Sequence, residues 1–191
     1  MSVKAAETFS QHWMKQGATV LGIAANDRLL GLLTLRDSLK PGAAKVVSDL
    51  KNMFDDFGTE GVFLVTGDNR QTAEAIAKEA GIEPENVFAE IRPEQKAEFV
   101  KKLQQRGERV AFVGDGINDA PALEQADLGI AVSRASDIAR EAADIILLNS
   151  EIEAVPESLG LARATLRTIK QNLFWAFFYN AAAVPLAALA F

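Results

Sequence analysis

Short apolar runs recurring between helix-patterned segments most constrain how this chain folds. Gly61-Val62-Phe63-Leu64-Val65, Val110-Ala111-Phe112-Val113, Leu128-Gly129-Ile130-Ala131-Val132 and Ile145-Ile146-Leu147-Leu148 each read as a strand. The first two show no alternation, which predicts strands buried on both faces. Between the runs, residues 69–80 and 93–106 carry helical patterning and stop at Gly81 and Gly107. Ala43 to Met53 is helical in pattern, with Pro41 placed to open that helix in its first turn. Ser136 is placed to cap a short helix over residues 137–142. This alternation from about Asp37 to Ser150 predicts an α/β fold, a parallel sheet with helices on both faces.

The ends differ from this middle. Residues 19–25 and 29–35 are strand-like, and Asn26-Asp27 between them predicts a tight hairpin. Residues 1–35 therefore read as the edge of another domain, 36–155 as the α/β body, and 156–191 as a long helix. The last charged residue is Lys170, and Asn172 to Phe191 carries none. As a helix that stretch is about 30 Å long, roughly a bilayer core. Arg163, Arg167 and Lys170 precede it, as cytoplasmic positive charge precedes a span. The segment has no polar face, so a transmembrane helix over about 172–191 is preferred to a buried soluble one. The chain holds no cysteine, which excludes disulfides and thiolate chemistry. A net charge of −6 without a Lys/Arg block argues against nucleic acid as a partner. His12 and Trp13 carry no role, because a single His without partners ligates nothing by itself.

The loops that follow the strands carry the chemistry. Gly114-Asp115-Gly116-Ile117-Asn118-Asp119-Ala120-Pro121 follows the run at 110–113. Open α/β sheets place ligands at such strand ends. Its glycines allow a sharp turn and close approach to an anion. Asp115 and Asp119, with Asn118 between, suit a hard cation with oxygen ligands, Mg²⁺ above all, in the service of phosphate chemistry. Thr66-Gly67-Asp68 ends the run at 61–65 and is expected at the same sheet edge. There a threonine hydroxyl donates to a phosphoryl oxygen. Asp68 reads equally as a ligand contact or as the cap of the helix beginning at Asn69. Lys96, in the first turn of its helix, reads equally as a solvated lysine or as an ammonium reaching a phosphoryl group.

Taken together, Thr66-Gly67-Asp68-Asn69, Arg92-Pro93-Glu94-Gln95-Lys96 and the loop from Gly114 to Leu123 resemble the haloacid dehalogenase superfamily, and within it the phosphorylation domain of P-type ATPases. The run Ala126 to Ala131 and the acids Asp137, Glu141 and Asp144 continue the likeness, and Asp37 to Pro41 resembles the hinge to a nucleotide domain. Gln171 to Ala176 and Tyr179-Asn180 are similar to a membrane segment of copper exporters. In zinc and cadmium pumps that segment tends to carry a lysine, absent here. The resemblance implies a Rossmann-like sheet and ATP as substrate. Asp115 and Asp119 would hold Mg²⁺, with Asn118 and Asp119 orienting phosphate and metal, and Thr66 and Lys96 would hold phosphoryl oxygens. Gly67, Asp68, Gly114 and Gly116 would form the phosphate loops. Tyr179 and Asn180 would contact Cu⁺ in the membrane, unless they merely pack on neighbouring helices.

The same resemblance implies a multi-pass pump in the inner or plasma membrane, with the α/β domain in the cytoplasm and lipid around the span. Residues 1–35 would then be a remnant of the nucleotide-binding domain. The remaining partners would be the rest of the pump, namely nucleotide, actuator and membrane regions, and Cu⁺ or another heavy-metal cation. The family's nucleophilic Asp-Lys-Thr-Gly-Thr motif does not occur in this sequence. Asp55-Asp56-Phe57-Gly58-Thr59 is a decoy, because it follows helix-patterned residues rather than a strand; Asn52 to Glu60 is expected to be a loop. The chain is thus expected to be the C-terminal part of a copper-exporting pump that works through an aspartyl-phosphate, inactive alone. A soluble phosphatase of the superfamily and a non-catalytic regulatory remnant are the alternatives. All of these readings require Thr66, Lys96, Asp115 and Asp119 to converge on one pocket.

Overall fold

The computed structural model describes residues 3–14, 17–26, 28–36, 38–55, 61–115, 117–132, 137–148 and 151–189. The expectations resting on Asp27, Asp37, Asp56 to Glu60, Gly116 and Ser136 lie outside them. The chain divides into two compact units, residues 1–153 and 154–191.

The first unit begins with a helix, α1 (Val3–Met14), that the mixed composition of residues 1–17 did not announce. Its inner stripe is Ala6, Ser10 and Trp13, at helical spacing, and Phe9 packs on Trp13 with ring centroids 6.2 Å apart. Backbone bonds from Gly17 to Met14 and from Ala18 to Trp13 turn the chain into β1 (Thr19–Ala25). This strand pairs antiparallel with β2 (Arg28–Leu35), and Asn26, with φ at 47°, makes the turn.

The α/β body follows as α2 (Ala43–Asp55), β3 (Leu64–Val65), α3 (Arg70–Ala80), β4 (Val87–Phe88), α4 (Pro93–Gln105), β5 (Ala111–Gly114), α5 (Ala120–Gln125), β6 (Leu128–Ala131), α6 (Asp137–Glu141) and β7 (Ile145–Ile146). Several expectations are corrected. Pro41 lies before its helix, which starts at Ala43, and α2 runs on through Asp55 into the segment expected to be loop. Among the described residues the run from Gly61 pairs only at Leu64 and Val65, and Gly61 itself is turned to φ 98°. Its partner β4 was not expected; two paired residues are too few to show periodicity.

Pairing is parallel throughout the body, in two ladders among the described residues: β3 with β4, and β5-β6-β7 in that order. The order explains a second correction. β6 is the central, buried strand, whereas β5 pairs only with β6 among the described residues and leaves Val113 40% exposed.

Helix α3 turns Ala73, Ala77 and Ala80 inward, at i, i+4 and i+7, onto Ile82 and Val87, and ends at Gly81 in the left-handed region. A second cluster joins Leu123, Ala131 and Ala139 under Phe112. Helix α4 bridges the two ladders. Phe99 packs on Phe88 with centroids 4.3 Å apart and the rings tilted at 49°, and Gln104 donates to the Gln125 carbonyl and to Asp127 at 2.9 and 3.0 Å. Gly129 on β6 allows α5 to close in, since a Cβ there would stand 2.6 Å from the Leu123 carbonyl oxygen.

Two predictions follow from this packing. Gly129→Ala meets rigid backbone and lowers stability by about 2 kcal/mol in urea unfolding, while Gly31→Ala, with nothing within 4 Å of its new methyl, changes it by no more than about 0.5 kcal/mol. The Val110 N–H and the Gln104 amide on its carboxylate, with Arg109 nearby, hold Asp127 below the usual aspartate range. A lowered native pKa stabilises the fold above the unfolded value, about 3.9, and that stabilisation is lost as pH falls through the native one. Stability measured against pH therefore drops on the acid side of about pH 4, and Asp127→Asn flattens that limb.

Candidate functional site

Two loops at strand C-termini and the first turn of α4 make the site. The acid loop leaves β5 at Gly114 and runs through a 3₁₀ turn, Ile117–Asp119, into α5. The loop folds back on itself. A Cβ on Gly114 would lie 2.7 Å from the Asp119 Cβ, so only glycine lets Asp119 pass under the strand end. Asp119 is buried, at 9% exposure. Its Oδ2 accepts from the Asp115 N–H at 3.3 Å, and its Oδ1 accepts from Lys96 Nζ at 2.6 Å. The Lys96 and Asp119 side chains are only 15% and 12% exposed. Lys96 is therefore not a solvated lysine; it is the counter-charge of the acid loop. Asp115 and Asn118 are exposed at the mouth of the loop.

The second loop is fixed by its own polar groups. The Thr66 hydroxyl donates to Asp68 Oδ2 at 2.9 Å, and the Asp68 N–H donates to Thr66 Oγ1 at 3.1 Å. This settles the cap. Asp68 is occupied with Thr66, and Asn69 caps α3 instead, its Oδ1 accepting from the Thr72 N–H at 3.0 Å. The backbone of Thr66 is bonded on both sides, from its N–H to Phe88 and from Ile91 N–H to its carbonyl, and Glu90 N–H donates to the Asp68 carbonyl. Glu90 takes φ 59° to make this fit. One residue past Ile91, Arg92 is the N-cap of α4, with the Gln95 side chain accepting from the Arg92 N–H at 2.9 Å.

The structure thus brings Lys96, Asp119, Gly114 and the Asp115 backbone into direct contact. Thr66, Gly67 and Asp68 form a neighbouring loop, tied to the same helix start through residues 88–92. Gly116 lies outside the described residues. Gln95 was not singled out as a supporting residue, although Pro93 at the first helical position with Gln two residues on is a legible helix-start signal.

Among the described residues no cluster of three or more His, Cys, Asp or Glu stands ready to hold a metal ion. The donors present are two carboxylates, one exposed and one held by Lys96. Mg²⁺ asks little more of a protein, keeping waters and taking one or two carboxylates plus phosphate oxygens. Tyr179 and Asn180 belong to the second unit, the single helix α7 (Ala154–Leu189). Tyr179 is 71% exposed there, and the Asn180 amide donates to the Ala176 carbonyl at 3.0 Å.

The Lys96–Asp119 pair makes a direct prediction. Lys96→Met leaves a buried carboxylate without its counter-charge and costs about 3 kcal/mol. In urea unfolding, the double variant with Asp119→Asn recovers part of that loss, giving a non-additive cycle. Additive losses would mean that the two groups do not interact.

Residues 4–127 match the family described as haloacid dehalogenase-like hydrolase. Probable copper-importing P-type ATPase A of Enterococcus hirae is 46% identical over 175 residues, 92% of this chain and 23% of that protein. Probable copper-transporting ATPase PacS of Synechococcus elongatus is 48% identical over 93% of this chain and 23% of its own length. The Copper-exporting P-type ATPase of Staphylococcus aureus is 47% identical over 93% of this chain and 21% of its own length. Among solved structures, a zinc-transporting PIB-type ATPase in the E2.Pi state superposes with a TM-score of 0.82 at 34% identity, covering 99% of this chain and 30% of that one. The chain spans less than a quarter of the length of these curated relatives. By fold, by the acid loop and by the family match, it belongs to the haloacid dehalogenase-like hydrolases.

Proposed function

We propose that this chain is the phosphoryl-handling domain and one membrane helix of a P-type copper pump, which couples Mg²⁺-dependent ATP hydrolysis to movement of Cu⁺. The observation that carries the reading is the buried Lys96–Asp119 pair beside an exposed Asp115 at the end of a parallel strand. Asp115 offers a hard oxygen to Mg²⁺, whose chemistry is to neutralise charge on the transferring phosphoryl group. Lys96 has an ammonium to turn from Asp119 towards phosphoryl oxygens, and Thr66 a hydroxyl to turn from Asp68. Asn118 is exposed at the same mouth, where an amide orients a phosphate. Gly67 and Gly114 keep side chains out of the way.

The aspartate that accepts the phosphoryl group in this family is not supplied by this sequence. The two ladders suggest where it enters. β3 and β5 are each paired on one side only among the described residues, and each ends in one of the two site loops. A strand added between them would deliver an aspartate to Thr66, Lys96 and Asp115 together, and would cover Val113. Residues 1–35 then belong with a nucleotide-binding domain, 36–155 with the phosphorylation domain, and 156–191 with the stalk and span.

Copper is the preferred cargo because the copper-named relatives are 46–48% identical, against 34% for the zinc-transporting structure. In addition, α7 carries Tyr179-Asn180 and no lysine beyond Lys170. The relatives' names differ on import and export, so direction is not part of the proposal.

The test is to substitute this chain for the corresponding segment of a copper-pump relative. The chimera forms an acid-stable acyl phosphate with ATP and Mg²⁺ only when Cu⁺ is present, and Asp115→Asn lowers turnover by about a hundredfold or more. Turnover unchanged by Asp115→Asn removes Asp115 from the site. Stimulation by Zn²⁺ instead of Cu⁺ reassigns the cargo.

A further inference from the structure

The second unit carries a feature that the pump reading does not use. Arg163, Arg167 and Lys170 follow one another at i, i+4 and i+7 on α7, within an arc of about 60° at about 100° per residue. All three are exposed, and the single acid on the helix is Glu157, before them. The hydroxyls on the same stretch are spent on the helix's own backbone, Thr165 donating to the Leu161 carbonyl at 2.9 Å and Thr168 to that of Ala164 at 3.1 Å. The outward polar chemistry of this segment is therefore a stripe of cations.

We propose that this stripe is a docking surface for anionic lipid headgroups. The inference rests on the reading of α7 as a membrane span. If the hydrocarbon layer begins at Asn172, the rise of about 1.5 Å per residue puts Lys170 about 3 Å, Arg167 about 7.5 Å and Arg163 about 13.5 Å above it. The headgroup layer is about 5–7 Å deep on each side. Lys170 and Arg167 stand within reach of it. Arg163 is within a Debye length of about 8 Å of its surface, and its long side chain can lean down towards it. Leu166, Ile169 and Leu173 lie about a quarter-turn round the helix, so the cations form their own face. A guanidinium holds a phosphodiester bidentately, and a zwitterionic headgroup brings its own ammonium to compete.

Trp175, about one turn beyond Lys170, reports on lipids next to the stripe. The whole chain, in a Trp13→Phe background that leaves Trp175 as the one tryptophan, is reconstituted in mixed phosphatidylcholine–phosphatidylglycerol nanodiscs. Either lipid is brominated in turn, and quenching gives their relative occupancy. We expect about a fivefold preference for the anionic lipid, the effect of one surface cation or more, weakening in 1 M salt. The triple variant Arg163→Gln, Arg167→Gln, Lys170→Gln falls to parity, and Arg163→Lys with Arg167→Lys keeps most of the preference. Equal quenching by both lipids in the unaltered chain overturns the inference while leaving the span intact, as does a preference that survives the triple variant. Quenching by neither lipid removes the span, and this inference with it.

Discussion

A lysine ammonium and an aspartate carboxylate, 2.6 Å apart and mostly out of water, hold the two site loops of this fold in place. Exposed ion pairs contribute little, but here the asymmetry matters. Each charge has lost most of its hydration, so each depends on the other. The lysine sits on α4 and the aspartate in the acid loop, and α4 is anchored three times: by Lys96 to the acid loop, by Phe99 to β4, and by Gln104 to α5 and Asp127. Because Ile91, just ahead of α4, is bonded to Thr66, one helix sets the position of both site loops.

Sequence alone suggests that the glycines of the acid loop serve approach to an anion. At Gly114 the crowding comes from inside the protein, from Asp119 passing beneath the strand end. Contacts within the protein thus set the shape of the loop, and the Asp115 N–H donating to Asp119 closes it. On β6, Gly129 does the corresponding work for packing, letting α5 approach by its backbone, while Asp144 accepts from the Gly129 N–H at 2.8 Å and ties β7 to β6.

Local signals made α3 and α4 legible, since helical spacing and terminal glycines are written within a few residues of one another. The strands were legible as apolar runs, but their burial was not. β5 and β6 look alike in composition, and only the pairing order makes β6 central. The choice between Asp68 and Asn69 as helix cap was equally hidden. Both are good caps, and the Thr66 hydroxyl decided between them by engaging Asp68. Lys96 was undecidable from its neighbours because its partner lies 23 residues along the chain. Helix α1 was missed because its inner stripe, Ala6, Ser10 and Trp13, mixes small, polar and aromatic residues.

Helix α7 shows how a uniform apolar composition can conceal a local constraint. Its apolar stretch buries nothing within the chain, so any hydrocarbon-depth segment must satisfy its own backbone. It does so except near its end. Pro185 has no N–H to give the carbonyl four residues earlier, that of Ala181. One residue before Ala181, the Asn180 amide is spent on the Ala176 carbonyl. Its side-chain oxygen is an additional acceptor at the same depth. Two carbonyl-type oxygens with unmet capacity within one turn are costly against lipid tails. In a membrane, such a turn of α7 would have to face protein, water or a cation rather than lipid tails.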